Sequence, residues 1–229
     1  MYNPNFCFAI PAKIECNDVE LQPFVPDRHA ESFFAATAAH PELYAYLPWG
    51  PFSSTSDFVK TLIEGRIQPD HGAVLFAVLD KPSRELRGII GLLRTSPTNL
   101  STELGFVIIL PKFQGTHITR CAGALLLKFV LGLPEEGGLG LRRAVWQANS
   151  GNGRSIRVAE RMGFRREGLL RWERTLPGGK EGSSNGKTLR DEDPLPNNVS
   201  RDTVLLSVCW DDWEEGGVKQ LVEKLLQPS

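Results

Sequence analysis

The stretch from Val107 to Thr119 reads Val-Ile-Ile-Leu-Pro-Lys-Phe-Gln-Gly-Thr-His-Ile-Thr, and an apolar helix-periodic segment follows it to Leu131. An apolar strand therefore passes through a short polar turn directly into an amphipathic helix. Such a junction leaves backbone N–H groups pointing off the helix start, with the positive end of the helix dipole behind them. This is a seat for an anion such as phosphate. It also commits the fold to strand and helix packed in layers, since Ile118, Ala122, Leu125, Leu126, Phe129 and Val130 form one apolar face that needs a sheet to cover it.

The flanking sequence supplies that sheet. Val19 to Phe24 alternates as a half-buried strand, and Asp27 is placed to cap a helix through Ala39 that His40-Pro41 ends. A second helix starting near Ser54 or Ser56 carries Phe58, Leu62 and Ile63 on one face. Ala73 to Leu79, Leu86 to Leu93 and Thr102 to Leu110 are close-spaced strands, predicted to form an antiparallel meander. Leu141 to Gln147 is a further strand, and Ser155 to Met162 a short helix stopped by Gly163. Phe164 to Glu173 and Thr203 to Trp210 read as a closing pair. The pattern predicts one mixed α/β domain over residues 1–229. Between the closing strands, residues 177–201 are rich in Gly, Pro, Ser, Asn and charge, with Leu189, Leu195 and Val199 the only large apolar residues. Such a connection is either a functional lid or a mobile insertion, and the composition favours the insertion.

Several function classes are excluded at this level. A net charge of −1 offers no electrostatic footprint for nucleic acid or an anionic membrane. No apolar run approaches the roughly 20 residues that span a bilayer. Met1 to Pro11 lacks a basic region followed by an apolar run, so no secretory signal is expected. Cys7, Cys16, Cys121 and Cys209 are scattered without metal-ligand spacing. No metal is expected, and a reducing cytoplasmic setting is the simplest reading.

Two later segments give the anion seat its meaning. Asn152 to Phe164 reads Asn-Gly-Arg-Ser-Ile-Arg-Val-Ala-Glu-Arg-Met-Gly-Phe, followed by Glu167-Gly168-Leu169-Leu170-Arg171. Arg201-Asp202-Thr203 leads into Val204 to Val208, with Asp211-Asp212-Trp213 close behind. With the Leu110-Pro111-Lys112-Phe113-Gln114-Gly115-Thr116 junction and the Tyr44 to Phe52 loop, these resemble the GNAT N-acetyltransferase superfamily, in its branch similar to RimJ and RimL. The resemblance runs over roughly residues 13–213.

It implies a single central twisted sheet of about seven strands, mostly antiparallel, with four main helices. Thr102–Leu110 and Leu141–Gln147 would splay apart to admit acetyl-CoA. Pantetheine would pair with backbone near Ile108 and Ile109. Pyrophosphate would lie on the N–H groups of Gln114, Gly115, Thr116, His117, Ile118 and Thr119, and Asn152 and Ser155 would also touch the donor. The chain departs from the superfamily's usual pattern where His117 replaces a later glycine and Ala159 replaces a tyrosine used as the acid for the departing thiolate. His117 is either a phosphate donor or a solvent-facing turn residue.

Attack of an amine on the thioester requires a base and, for the sulfur, an acid. Glu103, on the strand leading to the splay, is either that base or an ordinary outward strand residue. Ser155 is either the acid or a helix cap. Tyr46, Trp49 and Phe52 either pack over the core or form a wall for the acceptor's ammonium. Arg201 and Asp202 are expected to pin the closing hairpin through an ion pair. The implied activity is acetyl-CoA-dependent transfer to a primary amine in a ternary complex. The acceptor is a small molecule (amino acid, polyamine or aminoglycoside-like amine) or a protein N-terminus. The alternative is an acyl-CoA-binding module of the same fold with little or no turnover. Either a monomer or a homodimer is compatible with the sequence, an exposed last strand being one route to pairing.

Overall fold

In the computed structural model, which describes residues 2–227, a single eight-stranded sheet runs in the order β1-β2-β3-β4-β5-β6-β8-β7. The strands are β1 (Ile14–Glu15), β2 (Val19–Pro23), β3 (Val74–Asp80), β4 (Leu86–Ser96), β5 (Ser101–Ile109), β6 (Arg143–Asn149), β7 (Arg165–Leu176) and β8 (Val199–Cys209). The meander β3-β4-β5 is antiparallel, and every neighbouring pair is antiparallel except β5 with β6. The two-residue β1 is the strand beyond the expected seven. The last strand β8 lies inside the sheet between β6 and β7, so β7 forms the edge that the sequence had placed at the chain's end.

Helices cover both faces. α1 (Pro26–Thr37) starts at Pro26, not after an Asp27 cap, because proline fits the first helical position with no N–H to satisfy. The N–H of Val25 is satisfied instead by Nδ1 of buried His29 at 3.0 Å. α2 (Thr55–Phe58) is capped by Ser54, whose side chain accepts from the Asp57 N–H, and continues as a π-helix over Val59–Ile67. The wider turn suits the spacing of buried Leu62, Ile63 and Ile67 and leaves Arg66 exposed. α3 (His117–Leu131), α4 (Gly153–Arg161), α5 (Trp210–Glu214) and α6 (Val218–Leu225) complete the set.

Strand alternation sorts the interior into two cores. Val74, Phe76, Ile90, Leu92, Leu104, Trp146 and Leu206 face α3 and α4. Leu75, Ala77, Ile89, Phe106 and Ile108 face α1, α2 and the Tyr44–Phe52 loop.

Candidate active site

β5 and β6 pair in parallel only from Ser101–Leu104 against Arg143–Trp146. Past that point β5 carries an extra residue relative to β4. Ile89 faces Ile108 while Gly91 faces Gly105, so Phe106 and Val107 share the span opposite Ile90. Phe106 takes φ +52° to make this bulge, which bends β5 away from β6. The separation frees strand backbone for a ligand. A cleft of about 490 Å³ opens there, between β5, β6, the turn before α3 and the start of α4.

The turn before α3 forms one end of this cleft. Gly115 sits at φ +76° with nothing within 4 Å of where a Cβ would stand, so the turn leaves open space on that side. Gln114 braces the turn: its amide donates to the Ile109 carbonyl at 3.0 Å and accepts from Arg154 at 3.4 Å. Thr116 caps α3 by accepting the Ile118 N–H at 3.4 Å and donates to the Phe113 carbonyl at 2.7 Å. The Gln114 N–H is also engaged, by the Pro111 carbonyl at 3.3 Å. Gln114, Gly115 and Thr119 line the cleft, whereas Thr116 and His117 do not; Nε2 of His117 is buried and makes no hydrogen bond within the described residues. Ile109 lines the cleft, while Ile108 and Ile118 belong to the cores.

The opposite wall is basic. Arg154, Arg157 and Arg161 on α4 all line the cleft. Their spacing puts them on one helix face, a signal present in the sequence that the motif reading passed over. Together with the α3 start they suit the phosphates of CoA, since guanidinium groups and helix N–H groups are the two usual phosphate partners.

Near the middle of the cleft, Asn152 caps α4 by accepting the Ser155 N–H at 3.1 Å. Ser155 is therefore not the cap. Its Oγ accepts from the Trp146 indole N–H at 2.9 Å, which leaves the hydroxyl proton free to point into the cleft. Ala159 is fully buried and supplies no acidic group.

A second cavity of about 250 Å³ lies against the α1/α2 face and shares Leu47, Gly105, Phe106, Gln147 and Arg201 with the first. Glu103 lines it, 6% exposed, on the face opposite Leu104. One carboxylate oxygen, Oε2, has no hydrogen-bond partner among the described residues and lies 3.5 Å from Arg94 Nη1. Burial raises the Glu103 pKa above the usual carboxylate value; Arg94, Arg174 and Arg201 oppose this without cancelling it. A Cβ at Gly105 would stand 2.5 Å from Leu93 Cδ1, so the tip of that side chain would have to turn aside.

The three aromatics of the preceding loop are dispersed. Tyr46 lines the first cleft and Trp49 the second, but Phe52 stacks on Trp49 at 6.0 Å and meets Tyr44 and Phe58 edge-on, lining neither. Buried Tyr44, whose hydroxyl donates to Thr37 at 3.0 Å, holds this cluster together.

The connection between β7 and β8 is anchored by polar groups, where the sequence reading looked for apolar ones. Buried Lys180 donates to the carbonyls of Tyr44, Leu47 and Trp49 at 2.9, 2.6 and 3.0 Å. Burial lowers its pKa to about 8. Asn149 at the end of β6 donates to the Ser183 carbonyl at 2.6 Å. Arg201 and Asp202 do not pair, because adjacent strand residues point to opposite faces. Arg201 donates to the Tyr46 carbonyl at 2.8 Å and to Thr203 Oγ1 at 3.1 Å, while Asp202 accepts from the Trp172 N–H and the Asn185 amide.

Among the described residues one trio, Cys209, Asp211 and Asp212, brings potential ligand atoms within 4.8 Å of one another. Asp212 is already engaged, accepting from the Cys209 N–H at 3.1 Å and pairing with Arg165 at 2.6 Å. No helix among the described residues is long and apolar enough to cross a membrane.

The family model for the Acetyltransferase (GNAT) domain matches residues 18–165. No curated protein gives a significant match. Among solved structures, a GCN5-related N-acetyltransferase from Brucella melitensis is 27% identical, with 94% of this chain and 86% of that one covered at a TM-score of 0.74. A probable acetyltransferase of the GNAT family from Chromobacterium violaceum is 26% identical over 90% of each chain, TM-score 0.72. The spermidine N-acetyltransferase of Vibrio cholerae, solved with CoA and spermine, shares the fold at 17% identity and TM-score 0.61, covering 85% of this chain and 97% of that one. Profile, sheet and cleft agree: the chain belongs to the GNAT family of acetyltransferases.

Proposed function

We propose that this chain is an acetyl-CoA-dependent N-acetyltransferase acting on a primary amine in a ternary complex, of the RimJ/RimL-like branch and at home in a reducing cytoplasm. The observation that carries the proposal is the meeting of two cavities at the gap between β5 and β6, with a buried carboxylate on one side and a poised hydroxyl on the other. Acetyl-CoA fits the larger cleft by its donor set. Arg154, Arg157 and Arg161 with the N–H groups of Gly115 and Thr119 would hold its phosphates, and Asn152 and Ser155 would stand by the pantetheine and sulfur. The free edge of β5 near Ile108 and Ile109 supplies amide partners.

In this reading the thioester supplies an activated acetyl group. The amine nitrogen forms a bond to the acetyl carbon as the carbon–sulfur bond breaks. Glu103 takes the proton the nitrogen loses, directly or through water, and its raised pKa makes it a stronger base than a solvated glutamate. Ser155, the acid in this reading, passes its hydroxyl proton to the departing sulfur and is reprotonated from solvent in the open cleft. Much of the rate would come from positioning the two substrates across the gap.

Buried Ala159, in place of a phenol, favours a second reading, an acyl-CoA-binding module with little or no turnover. Thiol release from acetyl-CoA across a panel of primary amines decides between them. Turnover above hydrolysis supports the enzyme; CoA binding with no release from any amine supports the module.

A further inference from the structure

The cavity on the α1/α2 face holds more positive charge than an amine alone needs. Arg66, Arg94, Arg174 and Arg201 stand in its wall against two carboxylates, Asp70 and Glu103. One further carboxylate, Glu173, serves three of the arginines, at 3.1 Å from Arg94, 3.0 Å from Arg174 and 4.0 Å from Arg201. Arg94 also donates to Gln147 at 3.1 Å. Four guanidinium groups therefore share three carboxylates, and Arg66 has none of them: it makes no ion pair within the described residues. Partial burial and the like charge of Arg174 both push the Arg66 pKa down.

The charges are also arranged along the cavity. Glu103 is buried on the last paired stretch of β5 before the gap, with Arg94 at 3.5 Å, whereas Arg66 is exposed on the π-helix. A bound molecule is thus offered a carboxylate at the inner end and unpaired guanidinium at the outer end. A polycation would meet repulsion along this path. A molecule with an amine at one end and an oxyanion at the other meets opposite charge at both.

We infer that the acceptor is a small zwitterionic amine, carrying a carboxylate or phosphate that Arg66 receives while its amine faces Glu103. This rests on the reading of the chain as an amine acetyltransferase. Arginine forks match both oxyanions bidentately, and about 250 Å³ accommodates a molecule of amino-acid size.

The test uses matched acceptors in the thiol-release assay: phenylalanine against phenethylamine, O-phosphoethanolamine against ethanolamine, with spermidine and a short peptide alongside. The anionic member of at least one pair is expected to show kcat/KM about 10- to 100-fold above its partner, the range of a charge-assisted hydrogen-bond pair. In Arg66→Gln that ratio collapses toward one through KM, and the pair that responds tells carboxylate from phosphate. Preference for spermidine, for the uncharged amines or for the peptide overturns the inference while leaving the enzyme intact. If no amine is acetylated, the enzyme reading fails, and calorimetric titration of phenylalanine and O-phosphoethanolamine decides the anion site separately. Binding lost in Arg66→Gln supports the site; absent or unaltered binding overturns it.

Discussion

The Trp146 indole N–H donates to the Ser155 hydroxyl across 2.9 Å, tying the end of the parallel β5–β6 pairing to the first turn of α4. An acceptor bond from the indole fixes which lone pair of Oγ is used and so which way its proton can point. Ser155→Ala is expected to lower kcat about tenfold, near 1.4 kcal/mol, with little change in KM for acetyl-CoA. Trp146→Phe should give part of the same loss. Steady-state kinetics on both variants check this, and a Ser155→Ala enzyme with full kcat removes the hydroxyl from proton transfer.

In the proposed mechanism, Glu103 gives the pH dependence its sign. A base must be ionised to accept a proton, and burial has raised the pKa of this one. Activity therefore rises with pH as Glu103 ionises, along a limb that begins above the ordinary glutamate range. Glu103→Gln should lower kcat/KM by about 100-fold and abolish that limb, as expected for removal of a general base. A pH–rate profile with the limb intact in the variant would assign it to another group.

Gly115 tests the donor cleft. Its positive φ strains any other residue by about 1 kcal/mol, while the open space around it accepts a side chain. Gly115→Ala should accordingly bind CoA almost normally. Gly115→Glu sets a carboxylate where the phosphates are expected and should raise the Kd for CoA by at least tenfold. Isothermal titration with CoA distinguishes the two, and equal affinities would clear the turn of any phosphate role.

Lys180 ties residues 177–198 to the loop above the cavity proposed for the acceptor. Lys180→Met keeps the length and the apolar stem but strands three carbonyl groups. A loss of about 2–4 kcal/mol in urea unfolding is expected, in the range of breaking a buried hydrogen-bonded charge. Acceptor KM should rise along with it. An unchanged unfolding midpoint would show that water replaces the ammonium at no cost.

What the sequence showed directly was local. The β3–β5 meander, the long apolar face of α3 and the Gly115 turn each lie within one continuous stretch whose periodicity or turn chemistry is written in neighbouring residues. The bulge at Phe106 is a matter of register between two strands, and nothing in Gly105-Phe106-Val107 announces it. Arg66, Arg94, Arg174 and Arg201 converge from the π-helix, β4, β7 and β8, so their company exists only after folding. Lys180 was hidden for a different reason: its partners are backbone carbonyls, which leave no trace in composition. The resemblance supplied Ser155 and Asn152, but separating cap from hydroxyl donor needed the Trp146 contact.

The sheet also acts as a partition. Among the described residues, the two cores on its faces share no fully buried side chain, and half-buried Phe113 is the apolar residue that packs against both. Substitutions in the core beside α1 and α2 therefore reach α3 and α4 only through the sheet and Phe113. A scaffold divided in this way can diversify the amines it serves by repacking one face alone, while its grip on a common acyl donor is inherited unaltered.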